Sequence, residues 1–254
     1  MSTATKSSPE LRGNCGRVIT SREPEVCLEG PAGTGKSVAI LWKIHRAAQK
    51  YPRMRALIVR QTRESLTQSA LVTFESQTLS KAWYRRIAEG SQRRVRQSYV
   101  YPNGSEVVIG GLDKPSKVMS TEYDLIYVNE ARETTEEAYE DLSSRLRNGR
   151  MPYQQMLSDT NPDAPTHWIK RRANDGKLEL WPTRHEDNPR YYRGDVWTPD
   201  GAKYLARLER LTGVRFLRLR RGIWAGAEGQ IYDEWDDAVH LVSADRLMAM
   251  GVLG

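Results

Sequence analysis

Hydrophobic positions along the chain fall into short apolar runs that alternate with helical patterns. Apolar runs of strand length occupy residues 25–29, 55–60 and 124–128, and each run predicts a buried strand. The segments 36–49 and 64–79 instead repeat their apolar residues at the spacing of a helix with one apolar side. Strands that alternate with helices build parallel sheets covered by helices. This order therefore predicts an α/β fold with a mostly parallel sheet.

Shorter elements extend this prediction. Residues 99–109 predict a β-hairpin, because an Asn-Gly pair separates two runs rich in β-branched and aromatic residues. Residues 134–147 predict a helix, with Thr134 and Glu137 at the spacing of a capping box. Residues 155–158 predict another short strand. After that strand the pattern loosens, and the predicted elements become short and widely spaced.

Residues 30–37 carry the most specific chemistry in the sequence. They match the phosphate-loop pattern G-x-x-x-x-G-K-[ST] at every position, between a predicted strand and a predicted helix. Backbone N–H groups at such a turn cradle phosphate oxygens. We expect Lys36 to contact the β- and γ-phosphates of ATP and the Ser37 hydroxyl to ligate Mg²⁺. The residues predicted to bind nucleotide in this loop are Gly30, Pro31, Ala32, Gly33, Thr34, Gly35, Lys36 and Ser37.

A second part of the predicted site follows the apolar strand 124–128. Glu130 lies at the carboxyl end of that strand, where open α/β sheets bind their ligands, and is predicted to activate the attacking water. The preceding position is usually an Asp that holds a metal-bound water, but here it is Asn129. An amide oxygen accepts a hydrogen bond without supplying negative charge. We therefore expect weakened Mg²⁺ affinity, or a cation held mainly by Ser37 and phosphate.

Composition narrows the choice of partner and compartment. The formal net charge of +7 suits a polyanionic partner without identifying one, since each basic cluster can also be a solvated face. No apolar run approaches the ~20 residues of a membrane span, and the polar start predicts no signal peptide. Two cysteines, Cys15 and Cys27, give no disulfide framework, so we expect a reducing cytoplasm.

The order of the remaining motifs resembles the ATPase domain of tailed-phage large terminases. The phosphate loop alone would not indicate this family, but the order and spacing of the later motifs do, over roughly residues 25–242. These are Ser-Arg-Leu-Arg at 144–147, Leu-Ser-Asp-Thr-Asn-Pro at 157–162, Pro-Thr-His-Trp at 165–168, Asp-Asn-Pro at 187–189, Leu-Thr-Gly at 211–213, Gly-Ile-Trp at 222–224 and Glu-Gly-Gln-Ile-Tyr at 228–232.

The resemblance implies a P-loop NTPase fold of the ASCE type and an ATP-driven motor that threads double-stranded DNA into a procapsid. Such a motor works as a homo-oligomeric ring, usually a pentamer, on the portal, together with a small terminase subunit. It works in the cytoplasm of an infected bacterial host, with ATP and Mg²⁺ as cofactors and without a membrane. The implied segments are an N-terminal arm (1–24), an ATPase core (25–178), a subdomain with a linker (179–242) and a C-terminal tail (243–254).

Particular residues inherit roles from this resemblance. Glu130 would be the catalytic glutamate, and Thr160 with Asn161 would form the coupling motif that senses the γ-phosphate. A hydroxyl and an amide beside a phosphate loop can distinguish ATP from ADP by hydrogen bonding, although Asp-Thr-Asn-Pro would also form a plain turn. Arg60 and Gln61 follow the second strand, where relatives have residues near the nucleotide.

The sequence also departs from the family pattern. Many relatives carry an arginine inside the phosphate loop, where this chain has Ala32, and an Arg-Gly pair shortly before the acidic strand, where it has Met119 and Ser120. An arginine finger supplies a large part of phosphoryl-transfer catalysis. We therefore predict catalytic roles for Arg145 and Arg147, with Arg150 as a further candidate, from the same or a neighbouring subunit. The alternative is slow hydrolysis by the isolated chain.

Two other functions stay open. One is a nucleotide-binding switch or assembly module with little turnover, and the other is a helicase-like DNA-dependent ATPase. Full-length large terminases carry a nuclease domain after the ATPase domain, and the carboxylates near the end of this chain are interpreted as a solvated connector, so nuclease activity is not expected. Those carboxylates are Asp233, Glu234, Asp236 and Asp237.

Overall fold

The computed structural model describes residues 10–226 and Met248. The strands are β1 (Glu25–Glu29), β2 (Arg55–Arg60), β3 (Ser98–Val100), β4 (Glu106–Gly111), β5 (Leu125–Val128), β6 (Gln155–Thr160), β7 (Glu179–Pro182), β8 (Tyr192–Arg193) and β9 (Val196–Trp197). The α-helices are α1 (Gly13–Thr20), α2 (Lys36–Lys50), α3 (Arg63–Gln68), α4 (Ala70–Thr73), α5 (Lys81–Ile87), α6 (Ser116–Met119), α7 (Glu136–Ser143), α8 (Trp168–Asn174), α9 (Pro199–Leu208) and α10 (Gly213–Phe216).

A seven-stranded sheet in the order β3-β4-β2-β5-β6-β1-β7 forms the centre of this fold. Every neighbouring pair is parallel except β3 and β4, which form the predicted hairpin. The predicted mostly parallel sheet is thus confirmed. The strand β6 is inserted between β1 and β5, so its carboxyl end lies beside the phosphate loop.

Both faces of the sheet are covered, which explains the continuous apolar strands. Along β2, Ile58 packs into one hydrophobic cluster with α2, while Leu57 and Val59 pack into another cluster with α7 and α8. Cys27 on β1 is fully buried in the second cluster, as the sequence predicted for a small apolar residue. Helices on both sides therefore hold the sheet and fix the loops at its carboxyl edge.

Two predicted helices differ from those in the structure. The segment 64–79 is not one helix, because the backbone breaks at Ser69 and the chain continues as α4 and then as a π-helical turn, Phe74–Thr78. The helix after β5 begins at Glu136 and is capped by Thr135, whose side chain accepts from the Ala138 N–H at 3.2 Å. Thr134 does not cap it, because its hydroxyl donates to the Ala131 carbonyl.

The segment boundaries stay predictions, and the structure adds one fact about them. The strand β7 begins at residue 179, where we expected the core to end, yet it pairs in parallel with β1. The central sheet therefore extends past that boundary. Residues 1–9 of the predicted arm, the tail apart from Met248, and the motif and carboxylates of 228–237 lie outside the described residues. In the part of the chain that is described, no helix is both long and apolar enough to cross a membrane.

Replacing Ile58 by Ala is expected to lower the free energy of unfolding by about 2–5 kcal/mol, because it opens a cavity in the fully buried centre of the sheet. Val100→Ala, on the edge strand β3 where the side chain is 59% exposed, is the control and should cost far less. Denaturant unfolding measures both. Equal losses would contradict the packing described here.

Candidate nucleotide site

The predicted phosphate loop connects β1 to α2 and has the backbone of a phosphate-binding turn. Gly30, Gly33 and Gly35 all adopt positive φ angles, of 141°, 82° and 96°. At Gly30 a side chain is also excluded by space, because a Cβ there would lie 2.4 Å from the Thr183 carbonyl oxygen. Since α2 begins at Lys36, the loop delivers its residues to the N-terminus of a fifteen-residue helix, where the helix dipole favours anions.

The Lys36 ammonium is folded into this loop. Its Nζ donates to the carbonyl oxygens of Gly30 at 2.9 Å and Pro31 at 2.8 Å. It also donates to the side-chain oxygen of Asn161 at 3.1 Å, at the end of β6. Burial lowers the pKa of Lys36, and the nearby carboxylates of Asp159 and Glu130 act in the opposite direction. The lysine is thus held by acceptors on the loop and on the neighbouring strand.

A cleft of about 460 Å³ opens beside the loop, within the size range of ligand pockets. The predicted residues Ala32, Lys36, Ser37 and Glu130 line it together with Asp159 and Asn161. The lining thus combines loop residues and a lysine with the carboxylates of Glu130 and Asp159, and the Asp159 carboxylate accepts from the loop hydroxyl of Ser37. The cleft therefore fits an anionic ligand that carries a hard cation.

Asp159 joins the two halves of the predicted site. It is 1% exposed, and the Ser37 hydroxyl donates to its Oδ2. Its Oδ1 accepts from the Asn129 side-chain amide at 3.0 Å and from the Glu130 backbone N–H at 2.9 Å. Sequence reasoning missed this residue. The available signal was its place one residue before the predicted coupling motif, on the strand next to β1.

Glu130 lies in an unusual backbone conformation. Its φ is 52° and its ψ is 55°, the left-handed region that a non-glycine residue seldom adopts. Its Oε2 is buried and has no hydrogen-bond partner among the described residues, with the Arg132 Nε 3.5 Å away. Burial raises the pKa of Glu130, and the adjacent Asp159 raises it further, against the lowering effect of Arg132 and Lys36. Backbone strain and a buried oxygen without a hydrogen-bond partner are both features of functional sites.

A family model for the phage terminase large subunit matches residues 24–201, well over half of the chain. The chain belongs to the phage terminase large subunit family.

Solved terminase structures share the fold of this terminase chain. The large terminase of a thermophilic bacteriophage in complex with ADP matches with a TM-score of 0.66 at 16% identity, over 91% of this chain and 58% of that protein. The large terminase ATPase domain of Thermus phage P74-26 matches with a TM-score of 0.53 at 14% identity, over 81% of this chain and 90% of that domain. Identities this low concern the fold alone.

This terminase chain covers little more than half of the large terminase from the thermophilic bacteriophage, 58% of the ADP complex and 55% in another crystal form. Comparison with curated protein sequences finds no match.

The coupling-motif residues behave differently from each other. Asn161 lines the cleft and accepts a hydrogen bond from Lys36. Thr160 is fully buried, and its hydroxyl donates to the Asn161 carbonyl at 2.8 Å. The structure thus brings Asn161 to the loop, while Thr160 stabilises the turn that presents it. Their coupling roles stay predictions.

Arg60 and Gln61, the predicted nucleotide contacts after β2, make hydrogen bonds outside the cleft. Arg60 donates to both carboxylate oxygens of Glu133, at 2.9 and 2.8 Å, and this pairing raises its pKa. The Gln61 carbonyl accepts from the Asp113 N–H at 3.0 Å. Neither residue lines the cleft, although the Arg60 charge is close enough to lower the pKa of Glu130. Arg60 therefore acts on the site at a distance in this conformation.

The predicted catalytic arginines lie at the opposite end of the strands from the cleft, beside the amino end of β5. The Arg145 carbonyl accepts from the Tyr123 N–H at 2.8 Å, just before β5 begins, and Arg147 pairs with Glu122 at 2.9 Å. The strand β5 runs from there to Glu130, so its whole length separates these arginines from the cleft. A role for Arg145 or Arg147 within the same subunit is not supported by this placement, and a contribution from a neighbouring subunit stays a prediction.

Two further parts of the cleft were not found from sequence. The Asn188 side chain donates to the Gly33 carbonyl at 2.7 Å, so the Asp-Asn-Pro segment braces the loop. The Cys15 thiol lies 3.8 Å from the Thr34 carbonyl, and burial raises its pKa to about 12, so it stays a protonated donor. The Asp-Asn-Pro motif was noted in the sequence only as part of the family resemblance, and no sequence signal pointed to Cys15.

Proposed function

We propose that this terminase chain hydrolyses ATP and uses the cycle to translocate double-stranded DNA into a procapsid. The observation that carries the proposal is the shared cleft, which Lys36 in the phosphate loop and Glu130 at the end of β5 both line. A lysine at the phosphate loop and a carboxylate with a buried oxygen that no described residue hydrogen-bonds fit the phosphate-binding and water-positioning roles in ATP hydrolysis. The fold of the ATPase domain from Thermus phage P74-26 supports it.

The residues divide the chemistry between them in this proposal. The loop amides and Lys36 hold the negative charge of the phosphates at the start of α2. Glu130 orients the attacking water and takes its proton, for which a raised pKa is suited because the carboxylate is a stronger base. Mg²⁺, when bound, would neutralise charge on the β- and γ-phosphates. The ADP complex of the thermophilic-phage large terminase supports nucleotide as the ligand.

The proposed motor includes partners beyond nucleotide. We place it in a homo-oligomeric ring, a pentamer, on the portal of the procapsid, working with a small terminase subunit in the cytoplasm of the infected host. A ring supplies each cleft with a neighbour, which would allow Arg145 or Arg147 to act across the subunit boundary. The positive net charge of +7 supports contact with the phosphates of DNA.

The basic clusters give only partial support for a DNA surface. Arg96 is buried and pairs with Glu75, and Arg172 pairs with Glu25 and Glu140. Arg218 pairs with an aspartate 3.0 Å away. These arginines are components of the fold, so the sequence clusters overstate the charge that is available to a polyanion.

Double-stranded DNA is expected to raise the ATPase rate of the chain severalfold, and the stimulation should weaken steeply between about 50 and 200 mM salt, as for phosphate contacts. A coupled assay with and without DNA measures this, and procapsids mixed with the chain, portal and small subunit should make DNA nuclease-resistant. Tight nucleotide binding without turnover under all these conditions would favour a switch module. Turnover without DNA stimulation or protection would contradict a packaging motor.

A further inference from the structure

The carboxylate beside the phosphate-loop hydroxyl comes from a different strand than the sequence pattern indicates. The pattern places an acidic residue at position 129, after β5, where this chain has an amide. In the structure the Ser37 hydroxyl donates to Asp159, which lies at the end of β6. Since β6 lies next to β1, and Asp159 is level with Leu28 on that strand, its carboxylate is adjacent to the loop.

Asn129 and Asp159 form a matched pair across the two strands. Val128 lies opposite Ser158, so Asn129, just past the end of β5, lies beside Asp159, which is still within β6. The Asn129 Nδ2 donates to Asp159 at 3.0 Å and to the Tyr127 hydroxyl at 2.9 Å. An aspartate at position 129 would bring a second carboxylate into contact with Asp159, with no donor between them. An amide at position 129 therefore suits a site whose carboxylate is Asp159 on β6.

Several oxygen atoms lie close to Asn129 and Asp159. Asp159 and Ser37 both line the cleft, and the Asn129 Oδ1 is buried and unpartnered among the described residues. Asn129 is only 3% exposed, so bulk water does not supply this oxygen with a hydrogen bond either. Hydroxyl, carboxylate and amide oxygens are the ligands, direct or through water, that Mg²⁺ prefers. The donor set thus fits a hard divalent cation next to the loop.

We propose that Asp159 is the acidic residue that holds the divalent cation of the nucleotide beside Ser37, and that Asn129 is a positioning residue that orients it. This inference rests on the proposed function, because it concerns the cation of that same nucleotide site. It replaces the expectation of a cation held mainly by Ser37 and phosphate with a cation held by a buried carboxylate. It also assigns the unusual amide a purpose, as the donor that fixes the Asp159 Oδ1.

The test measures cation binding without relying on turnover. Free Mn²⁺ is counted by electron paramagnetic resonance as it is titrated into the chain with ADP, and ADP affinity is measured separately in EDTA. Asp159→Asn is expected to raise the half-saturating Mn²⁺ concentration about tenfold or more, while ADP affinity in EDTA changes little. Asp163→Asn is the matched control, because Asp163 is a nearby carboxylate that pairs with Arg218 instead of lining the cleft.

A double variant keeps the proposal testable if Asp159→Asn fails to fold. The double variant Asn129→Asp with Asp159→Asn transfers the carboxylate from β6 to the position that follows β5. If the single variant Asp159→Asn folds, the double variant is expected to bind Mn²⁺ more tightly than the single variant does. If the single variant does not fold, the double variant is expected to bind Mn²⁺ with measurable affinity. Unchanged Mn²⁺ binding in folded Asp159→Asn would overturn the assignment. Loss of Mn²⁺ binding in the folded double variant would overturn the exchange of roles. Absence of ADP binding by the parent in EDTA and in Mn²⁺ would instead contradict the proposed function itself.

Discussion

Replacing Lys36 by Ala is expected to lower the ATPase rate about 10²- to 10³-fold and to weaken ATP binding. Lys36 lines the cleft and supplies positive charge there, and burial strengthens its interaction with phosphate charge. Its loss removes a charge-assisted contact and leaves the Gly30 and Pro31 carbonyls without the donor they now share. Steady-state hydrolysis and titration with a fluorescent ATP analogue measure the two effects.

The control for this variant is Lys50→Ala at the other end of the same helix. Lys50 is exposed and lies over the Tyr51 ring, so its loss removes one positive charge from α2 without touching the loop. Thermal unfolding of both variants separates a damaged loop from a damaged fold. If Lys36→Ala is as stable as the parent and still binds and hydrolyses ATP normally, the cleft beside the loop is not the nucleotide site.

Local chemistry explains which parts of this site could be predicted from sequence. The phosphate loop is eight contiguous residues whose function depends on their own backbone, so the pattern alone indicated it. Glu130 was accessible for a related reason, because it directly follows a strand that the apolar run makes evident. Both predictions required only the order of elements along the chain.

Asp159 could not be found in that way, because its role depends on the order of strands across the sheet. The chain order gives β5 and then β6, but only the fold inserts β6 between β5 and β1 and so places its end against Ser37. The position of the predicted catalytic arginines also depends on the fold. Arg145 is fifteen residues from Glu130 in sequence, yet the chain has returned along α7 to the opposite end of the strands by then.

Charge patterns were equally ambiguous without the fold. Arg93 and Arg96 look like one basic surface in the sequence, but both pair with Glu75, and Arg96 is buried beside the Tyr99 ring. A buried ion pair and a solvated basic face have the same sequence signature, because the acidic partner can lie in a distant part of the sequence. The number of arginines available to DNA is therefore a property of the folded chain.

Replacing Glu130 by Gln is expected to lower turnover about 10²- to 10⁴-fold while ATP affinity stays close to that of the parent. Glutamine keeps the size of the side chain and its hydrogen-bonding oxygen but cannot take the proton of the attacking water. Because Lys36 loses one of its neighbouring negative charges, the phosphate side of the cleft becomes slightly more positive, which favours binding. Single-turnover hydrolysis together with nucleotide titration separates the chemical step from affinity.

Glu137→Gln supplies the matched control, since Glu137 is an exposed carboxylate in the first turn of α7, seven residues further along the chain.

The parent should also lose activity on acidification at a higher pH than an ordinary glutamate would produce, because burial raises the pKa of Glu130 and only the carboxylate form accepts a proton. Turnover that survives in Glu130→Gln with an unshifted acidic limb would assign the base to another residue. A parallel collapse of ATP affinity would instead indicate that the strained backbone at Glu130 shapes the cleft and that its carboxylate does not carry the chemistry.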